Sequence, residues 1–296
     1  MSLRLEMLQV ARLGPSVLGE EASQLIEAFI RSQQNPDGGF KDRDSTSDLY
    51  YTSFAIDALT ALQADLPEDS IAAYLNGQFK KISELDFVHL CCLARASSAL
   101  DSYRGHNRLT PVLNRLEEFR TADGGYNQIS DHPTGSTYAC FLAWGAYSDH
   151  GIPLPRQETL SDCLNSLASE DGAWSNDVEF PVPNAPSTAA AVAVYRNLRL
   201  AIPEKTTHWI LSCYHPASGG FLAFPDAPMP DLLTTAVALH TLDALQAPLE
   251  NLREGCLDFI DTLWNAKGGF HGNWSDDQLD VEYTYYGLLA LGHLAL

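Results

Sequence analysis

Two kinds of apolar pattern alternate along the chain. Segments such as Glu20–Gln33 and Leu249–Trp264 carry a narrow apolar stripe on an otherwise polar helix, the pattern of a helix with one face on a core and the other in water. Segments such as Asp48–Leu62, Ser136–Tyr147, Ser187–Leu198, Asp231–Leu245 and Asp280–Leu296 are apolar nearly all round, the pattern of a buried helix. Alternating β-branched runs are almost missing, so strands are not expected. Between the two helix types sits a glycine pair, or a close variant, followed by an aromatic: DGGF at Asp37–Phe40, DGGY at Asp123–Tyr126, DGAW at Asp171–Trp174, SGGF at Ser218–Phe221 and KGGF at Lys267–Phe270. The last four are 47 to 49 residues apart and the first gap is 86, close to two periods. A degenerate repeat ending near Phe79-Lys80-Lys81 fills that gap.

Six repeats of one outer and one inner helix follow from this grammar. The glycines suit left-handed positions at the ends of the outer helices. Asp48, Asp231 and Asp280 each stand just before an inner helix, where a carboxylate can cap the free N–H groups, and each is followed four residues on by a threonine: Thr52, Thr235 and Thr284. The last inner helix ends in GLLALGHLAL, with no polar capping face. A ring closed against the first repeat covers that tail better than an open solenoid does. The expected architecture is therefore all-α, six inner and six outer helices, in a single domain over 1–296 with repeats ending near 40, 80, 126, 174, 221 and 270.

Composition narrows the chemistry. Eighteen Lys and Arg stand against 38 Asp and Glu, a net charge of −20 over 296 residues, so nucleic acid and anionic membranes are repelled. No apolar run is long enough for a membrane span, and MSLRLEMLQVARLG lacks the apolar core of a secretory signal. Cys91, Cys92, Cys140, Cys163, Cys213 and Cys256 lie scattered on apolar stretches without any CxxC pair, as expected of reduced thiols in a cytoplasmic protein.

The repeat as a whole resembles that of the prenyltransferase/squalene-oxidase family, whose members include protein prenyltransferase β subunits and terpene cyclases. SDLYYTSFAIDALTAL, DGGYNQISDHP and GGFHGNWSDDQLDVEYTYYGLLALGHL carry the resemblance, which extends over about residues 17–296. It implies an (α/α)6 toroid, an isoprenoid or other apolar small-molecule ligand, and, as in the prenyltransferases, an α-helical protein partner.

The family's chemistry transfers poorly onto these residues. Its transferases hold zinc with an Asp-x-Cys and a later His. In one register of the ring Asp231 is kept, but Leu233 stands at the Cys place and Tyr283 at the His place; in the other, Asn184, Pro186 and Thr234 occupy the three places. Neither set suits zinc, so no zinc is expected. The loops before Asp231 and Asn184 hold no Arg or Lys for a diphosphate, and His132 is the best remaining candidate. Cyclases of the family use an Asp-x-Asp-Asp run. Its nearest counterpart is Asp280-Val-Glu282, where Glu282 could serve as general acid, with Asp280 and Asp231 as further catalytic candidates. The plain alternative is that Asp280 caps a helix and Glu282 is a first-turn acid.

Tyr50, Tyr51, Tyr138, Trp144, His240, Tyr283 and Tyr286 are the candidate substrate contacts; their density in the first, third and last inner helices favours the lining of a central cavity, with packing between helix layers as the alternative. Trp274-Ser-Asp-Asp277 with Asp280 could chelate magnesium, or form a solvated turn. Three functions stay open: a prenyltransferase-like enzyme with altered residues, a terpene-cyclase-like enzyme using a carboxylic acid, and a non-catalytic toroid that binds a lipid or a protein. Metal analysis of the purified protein is expected to find no stoichiometric zinc. About one zinc per chain, lost on replacing Asp231, Tyr283 or Cys256, would contradict the reading of both registers.

Overall fold

The computed structural model describes residues 2–103 and 106–296. Two leading helices, α1 (Leu3–Ala11) and α2 (Gly14–Leu18), precede six outer–inner pairs. The pairs are α3 (Glu20–Ser32) with α4 (Leu49–Ala61), α5 (Glu68–Phe79) with α6 (Phe87–Ser98), and α7 (His106–Leu116) with α8 (Thr137–Ser148). They continue with α9 (Leu160–Ser166) and α10 (Ala185–Leu198), α11 (Lys205–Ser212) and α12 (Leu232–Ala244), and α13 (Glu250–Leu263) and α14 (Val281–Leu294). The alternation expected from the apolar pattern is what folds. The outer helices bury a stripe, as α3 does with Ile26 and Ile30; in α12 eight residues are buried, three of them threonines.

The chain gathers into two compact units. One, centred on Pro67–Pro203, sets inner helices α6, α8 and α10 side by side, with α5 packed on α6 and α7 on α6 and α8. The other holds Glu6–Asn35, Phe40–Leu66 and Glu204–Leu296. There α14 lies between α12 and α4, and also covers α2, so the last inner helix neighbours the first. The apolar tail is buried by the N-terminal repeat, as the uncapped sequence end predicts: Leu288, Leu289 and Ala290 are fully enclosed.

A small hydrogen-bonded device repeats at five of the six junctions. The residues flanking the glycine pair form an antiparallel bridge, Gln34 with Phe40, Arg120 with Tyr126, Ala168 with Trp174, Tyr214 with Phe221 and Trp264 with Phe270. The turn inverts the aromatic into the core, and Phe40, Tyr126, Trp174, Phe221 and Phe270 are at most 1% exposed. An N–H carried inward with its ring needs an acceptor. Threonine supplies it: Phe40 donates to Thr52 Oγ1 (2.9 Å), Trp174 to Thr188 (3.0 Å), Phe221 to Thr235 (3.0 Å) and Phe270 to Thr284 (3.4 Å). In the first, fifth and sixth repeats the same hydroxyl donates to the carbonyl of the capping aspartate, at 2.6 to 2.8 Å. One threonine thus ties loop, ring and helix start together. The third repeat has Cys140 at this place, and the second replaces the turn by a short 3-10 segment, Ile82–Glu84.

The glycines do not cap helices, contrary to the expectation. They lie several residues further on, in the turn itself, because the bridge needs a reversal there. Gly38, Gly124, Gly172, Gly219 and Gly268 all have φ between 80° and 93°. The turn also presses on the next outer helix. A Cβ on Gly268 would lie 2.1 Å from the carbonyl oxygen of Leu25 on α3, across the seam between last and first repeats. Gly268→Ala is therefore expected to lose more than about 2 kcal/mol, from the left-handed backbone and the overlap together. Gly77→Ala, in the open on α5, should be neutral or stabilising by up to about 1 kcal/mol. Urea unfolding of both variants checks this; equal effects would remove the seam from the account.

Candidate functional site

Both ends of the seam helix α14 carry polar groups, and its first turn concentrates the acids. Asp280 is the N-cap; its Oδ1 accepts the Tyr283 N–H at 2.9 Å. Its Oδ2 accepts from Arg43 twice, from Nε at 2.8 Å and from Nη2 at 2.7 Å. Arg43 reaches in from the loop between Phe40 and Asp48, and also pairs with Asp276 at 2.8 Å. Its guanidinium lies 5.5 Å from the Tyr283 ring centre. Burial disfavours the charge on Arg43, but the two carboxylates outweigh it and hold the guanidinium above its ordinary pKa. Burial likewise pushes the Asp280 carboxyl up, against the Tyr283 N–H and Arg43.

Glu282 sits two residues on and is mostly buried, with a different set of neighbours. Its one hydrogen-bond partner among the described residues is the Tyr50 hydroxyl, which donates to Oε1 at 2.6 Å. Around it runs an aromatic chain: Tyr50 meets Tyr51 and Phe54 edge-on at 5.6 and 4.9 Å, and Phe54 meets Tyr285 and Tyr286 at 5.7 and 5.5 Å. Burial is the main reason that the Glu282 carboxyl titrates at about 7; Asp280 adds to the rise, while Tyr50 and Arg43 oppose it. Tyr51 and Tyr283, next to these acids, are pushed up to about 12, chiefly by burial.

Asp231 and Asp48 are caps. Asp231 takes the Thr234 N–H and hydroxyl, both at 2.7 Å, one on each oxygen. Asp48 takes the N–H groups of Tyr50 and Tyr51. Of the three carboxylates singled out from the sequence, Asp280 and Asp231 are occupied in capping, and Glu282 has a hydrogen bond on Oε1 alone among the described residues. Among the candidate contacts, Tyr50, Tyr51, Tyr283 and Tyr286 gather around Glu282. His240, on α12, pairs instead with His293 near the far end of α14. Tyr138, Trp144 and His132 belong to the other unit. Trp144 is buried and Tyr138 half-buried on α8, while the His132 ring nitrogen Nδ1 sits against Asn127 and the carbonyl of Thr134. Asp276, in the turn that could either chelate magnesium or be solvated, pairs with Arg43. Among the described residues no group of three or more His, Cys, Asp or Glu could hold a metal ion.

Sequence reasoning missed Arg43. The loops before Asp231 and Asn184 hold no base, whereas the one before Asp48 does. The signal was present: Lys41-Asp42-Arg43-Asp44 sits in the repeat that closes on Asp280.

Comparisons with known proteins agree with this fold. The chain belongs to the prenyltransferase alpha-alpha toroid domain family, whose description matches residues 5–169 and 187–295. No curated protein matches it by sequence. Among solved structures it is similar to the type II terpene cyclase MstE from Scytonema in complex with merosterolic acid A, at TM-score 0.63 and 12% identity, covering 99% of this chain and 98% of that one. A protein from Actinoplanes gives TM-score 0.63 at 15% identity, covering 94% and 100%. The GH76A alpha-1,6-mannanase of Salegentibacter sp. HEL1_6 gives 0.65 at 11%, covering 93% and 98%. At such identities these show a shared fold, one that serves both terpene cyclases and glycosidases. Among the described residues no helix is long and apolar enough to cross a membrane.

A carboxyl that titrates at about 7 rather than near 4.5 costs folding free energy once ionised. The folded state keeps its proton longer than the unfolded state, so stability falls as pH rises from about 4.5 to 7. Glu282→Gln removes that loss. Relative to wild type it should gain up to about 3 kcal/mol between pH 5 and pH 8, measured by urea unfolding at both. A pH-independent difference would mean that Glu282 titrates as an ordinary surface acid.

Proposed function

We propose that the protein is a terpene-cyclase-like enzyme in which Glu282 is the general acid that starts the reaction of a neutral isoprenoid chain. The observation that carries this is the Glu282 carboxyl itself: buried among aromatic rings, held by one tyrosine hydroxyl, and retaining a proton near neutral pH. Such a group can deliver a proton to an alkene or epoxide placed over it. The faces of Tyr50, Phe54 and Tyr286 can stabilise the cation that results, and their apolar surface favours a hydrocarbon chain over a solvated one.

Two features argue against the other chemistries of the fold. A glycosidase works with two carboxyl groups, one acid and one nucleophile or base. Here Asp280 is tied on both oxygens, by Arg43 and by the helix start, so Glu282 acts singly. A zinc-dependent transferase needs soft or imidazole ligands, and Leu233 and Tyr283 stand at those places. The Scytonema cyclase has been captured with geranylgeranyl dihydroxybenzoate as substrate, which makes that compound a reasonable probe here. We place the activity in one catalytic domain spanning the chain, acting without zinc.

The test is consumption of squalene, 2,3-oxidosqualene and geranylgeranyl dihydroxybenzoate, followed by product analysis. Wild type should convert at least one without any diphosphate release. Activity should be highest below pH 7 and fall as Glu282 ionises above it. Glu282→Gln should lower kcat by roughly 10²–10⁴ with KM little changed. No conversion of any probe, or an active Glu282→Gln, would refute the reading.

A further inference from the structure

Cys140 breaks the pattern of the repeat. It stands on α8 four residues after the N-cap Ser136, the place that Thr52, Thr188, Thr235 and Thr284 hold on their own helices. Sulfur is a weak acceptor, so the hydroxyl tie of the other repeats is lost here. In its place a second sulfur comes close. Cys163, on the outer helix α9 of the next repeat, brings its Sγ to 3.9 Å from that of Cys140. Both side chains are fully buried.

Two glycines make the room. A Cβ on Gly125 would come within 2.4 Å of the Cys163 Sγ and 3.1 Å of the Cys140 Sγ, and one on Gly135 within 2.6 Å of Cys163. The sulfurs therefore meet directly over the turn of the third repeat. Asp123, in that turn, accepts the N–H of Gly125 at 3.2 Å, the N–H of Gly135 at 2.9 Å and the Thr121 hydroxyl at 2.5 Å. It also accepts the Cys163 S–H, and against burial these donors hold its carboxyl below the ordinary aspartate pKa. A carboxylate only accepts, so Cys163 gives its hydrogen to Asp123 and its sulfur receives that of Cys140. The bond to Cys140, and then burial, push the Cys163 thiol up.

A disulfide holds its sulfurs about 2.05 Å apart, so the 3.9 Å gap closes with a movement of about 2 Å shared between two side chains. We propose that Cys140 and Cys163 form a modification site, which a hydroperoxide oxidises to a disulfide that ties inner helix α8 to outer helix α9 in the repeat that lacks the threonine. Cys163 keeps its proton while the turn is closed, and only a thiolate attacks. Oxidation proceeds through opening of residues 121–126, which admits the hydroperoxide and lets water take the proton. The Cys163 sulfur then attacks the terminal peroxide oxygen. The S–O bond forms, the O–O bond breaks, and the alkoxide leaves as the alcohol. The Cys140 sulfur attacks the Cys163 sulfur of the resulting sulfenic acid. The S–S bond forms, the S–O bond breaks, and hydroxide leaves with the Cys140 proton as water. The two thiols have lost two electrons and two protons, and the peroxide has gained them. Both cysteines belong to the unit that does not hold Glu282, so the site stands apart from the proposed activity.

The test treats the intact wild-type protein with hydrogen peroxide, without denaturant, then blocks free thiols by alkylation and maps tryptic peptides. Cleavage at Arg120, Arg156 and Arg196 puts Cys140 on peptide 121–156 and Cys163 on peptide 157–196, each the only cysteine of its peptide. The two should appear linked, two hydrogens lighter than their sum, and should separate with dithiothreitol. The melting temperature should rise by about 5 °C on oxidation and return on reduction. Cys163→Ser should show neither the link nor the rise, with circular dichroism checking that it folds. Thr121→Ala, which loses one of the bonds to Asp123, should form the link at least about threefold faster. Recovery of both wild-type cysteines as free thiols, or as separate sulfinic acids, would overturn the site without recourse to any variant. A link with an unmoved melting temperature would overturn the tie, and an unchanged rate in Thr121→Ala would overturn turn opening as the controlling step.

Discussion

The N–H of a buried aromatic residue has to find an acceptor, and in this chain a threonine one turn into the next helix provides it. From that requirement much of the fold follows. The threonine hydroxyl receives the N–H of Phe40, Trp174, Phe221 or Phe270, and in three repeats passes its own hydrogen to the carbonyl of an aspartate cap. The ring fixes the loop in the core, the hydroxyl fixes the loop to the helix, and the cap fixes where the helix begins. Each such bond is worth about 1 kcal/mol made, and about 1–3 kcal/mol if left unmade in the interior. Placing four of the inner-helix starts by the same device means that a change of side chain in the first turn can alter chemistry without altering the frame.

Glu282 uses that freedom. Its neighbour Asp280 is the cap, so the backbone position is set independently of what Glu282 does. Arg43 then separates the two acids electrostatically. By taking both Asp276 and Asp280, it prevents a cluster of three carboxylates from repelling one another at the start of α14. Arg43 is largely at the surface, where an ion pair contributes little to stability. Its consequence is local: both Asp280 oxygens are occupied, while Glu282, without a cation in hydrogen-bond contact, remains the group whose carboxyl is pushed up to about 7.

The sequence made the architecture legible because the architecture is a repeat. The two helix types, the six outer–inner pairs and the closing of α14 on the first repeat could be read from apolar patterns such as GLLALGHLAL and from the glycine-pair period, whereas the leading helices α1 and α2, which stand outside the repeat, could not. The role of the glycines was harder to read. A positive φ and a backbone contact with the next outer helix look, in one dimension, the same as a helix cap. The site was half legible. Glu282 stood out from its place beside Asp280, and the tyrosines from their density in the first and last inner helices. Arg43 did not, since it lies over two hundred residues from the carboxylates it binds, and only the closure of the chain brings them together.

The central claim is that Glu282 is a buried acid protonated near neutral pH. The most direct measurement is a ¹³C NMR titration of its carboxyl in the intact protein, assigned by comparison with Glu282→Gln. The account predicts a midpoint at about 7, moving higher in Tyr50→Phe, where the hydroxyl that steadies the charged form is gone. A midpoint near the ordinary glutamate value of about 4.3, unmoved by Tyr50→Phe, would contradict it.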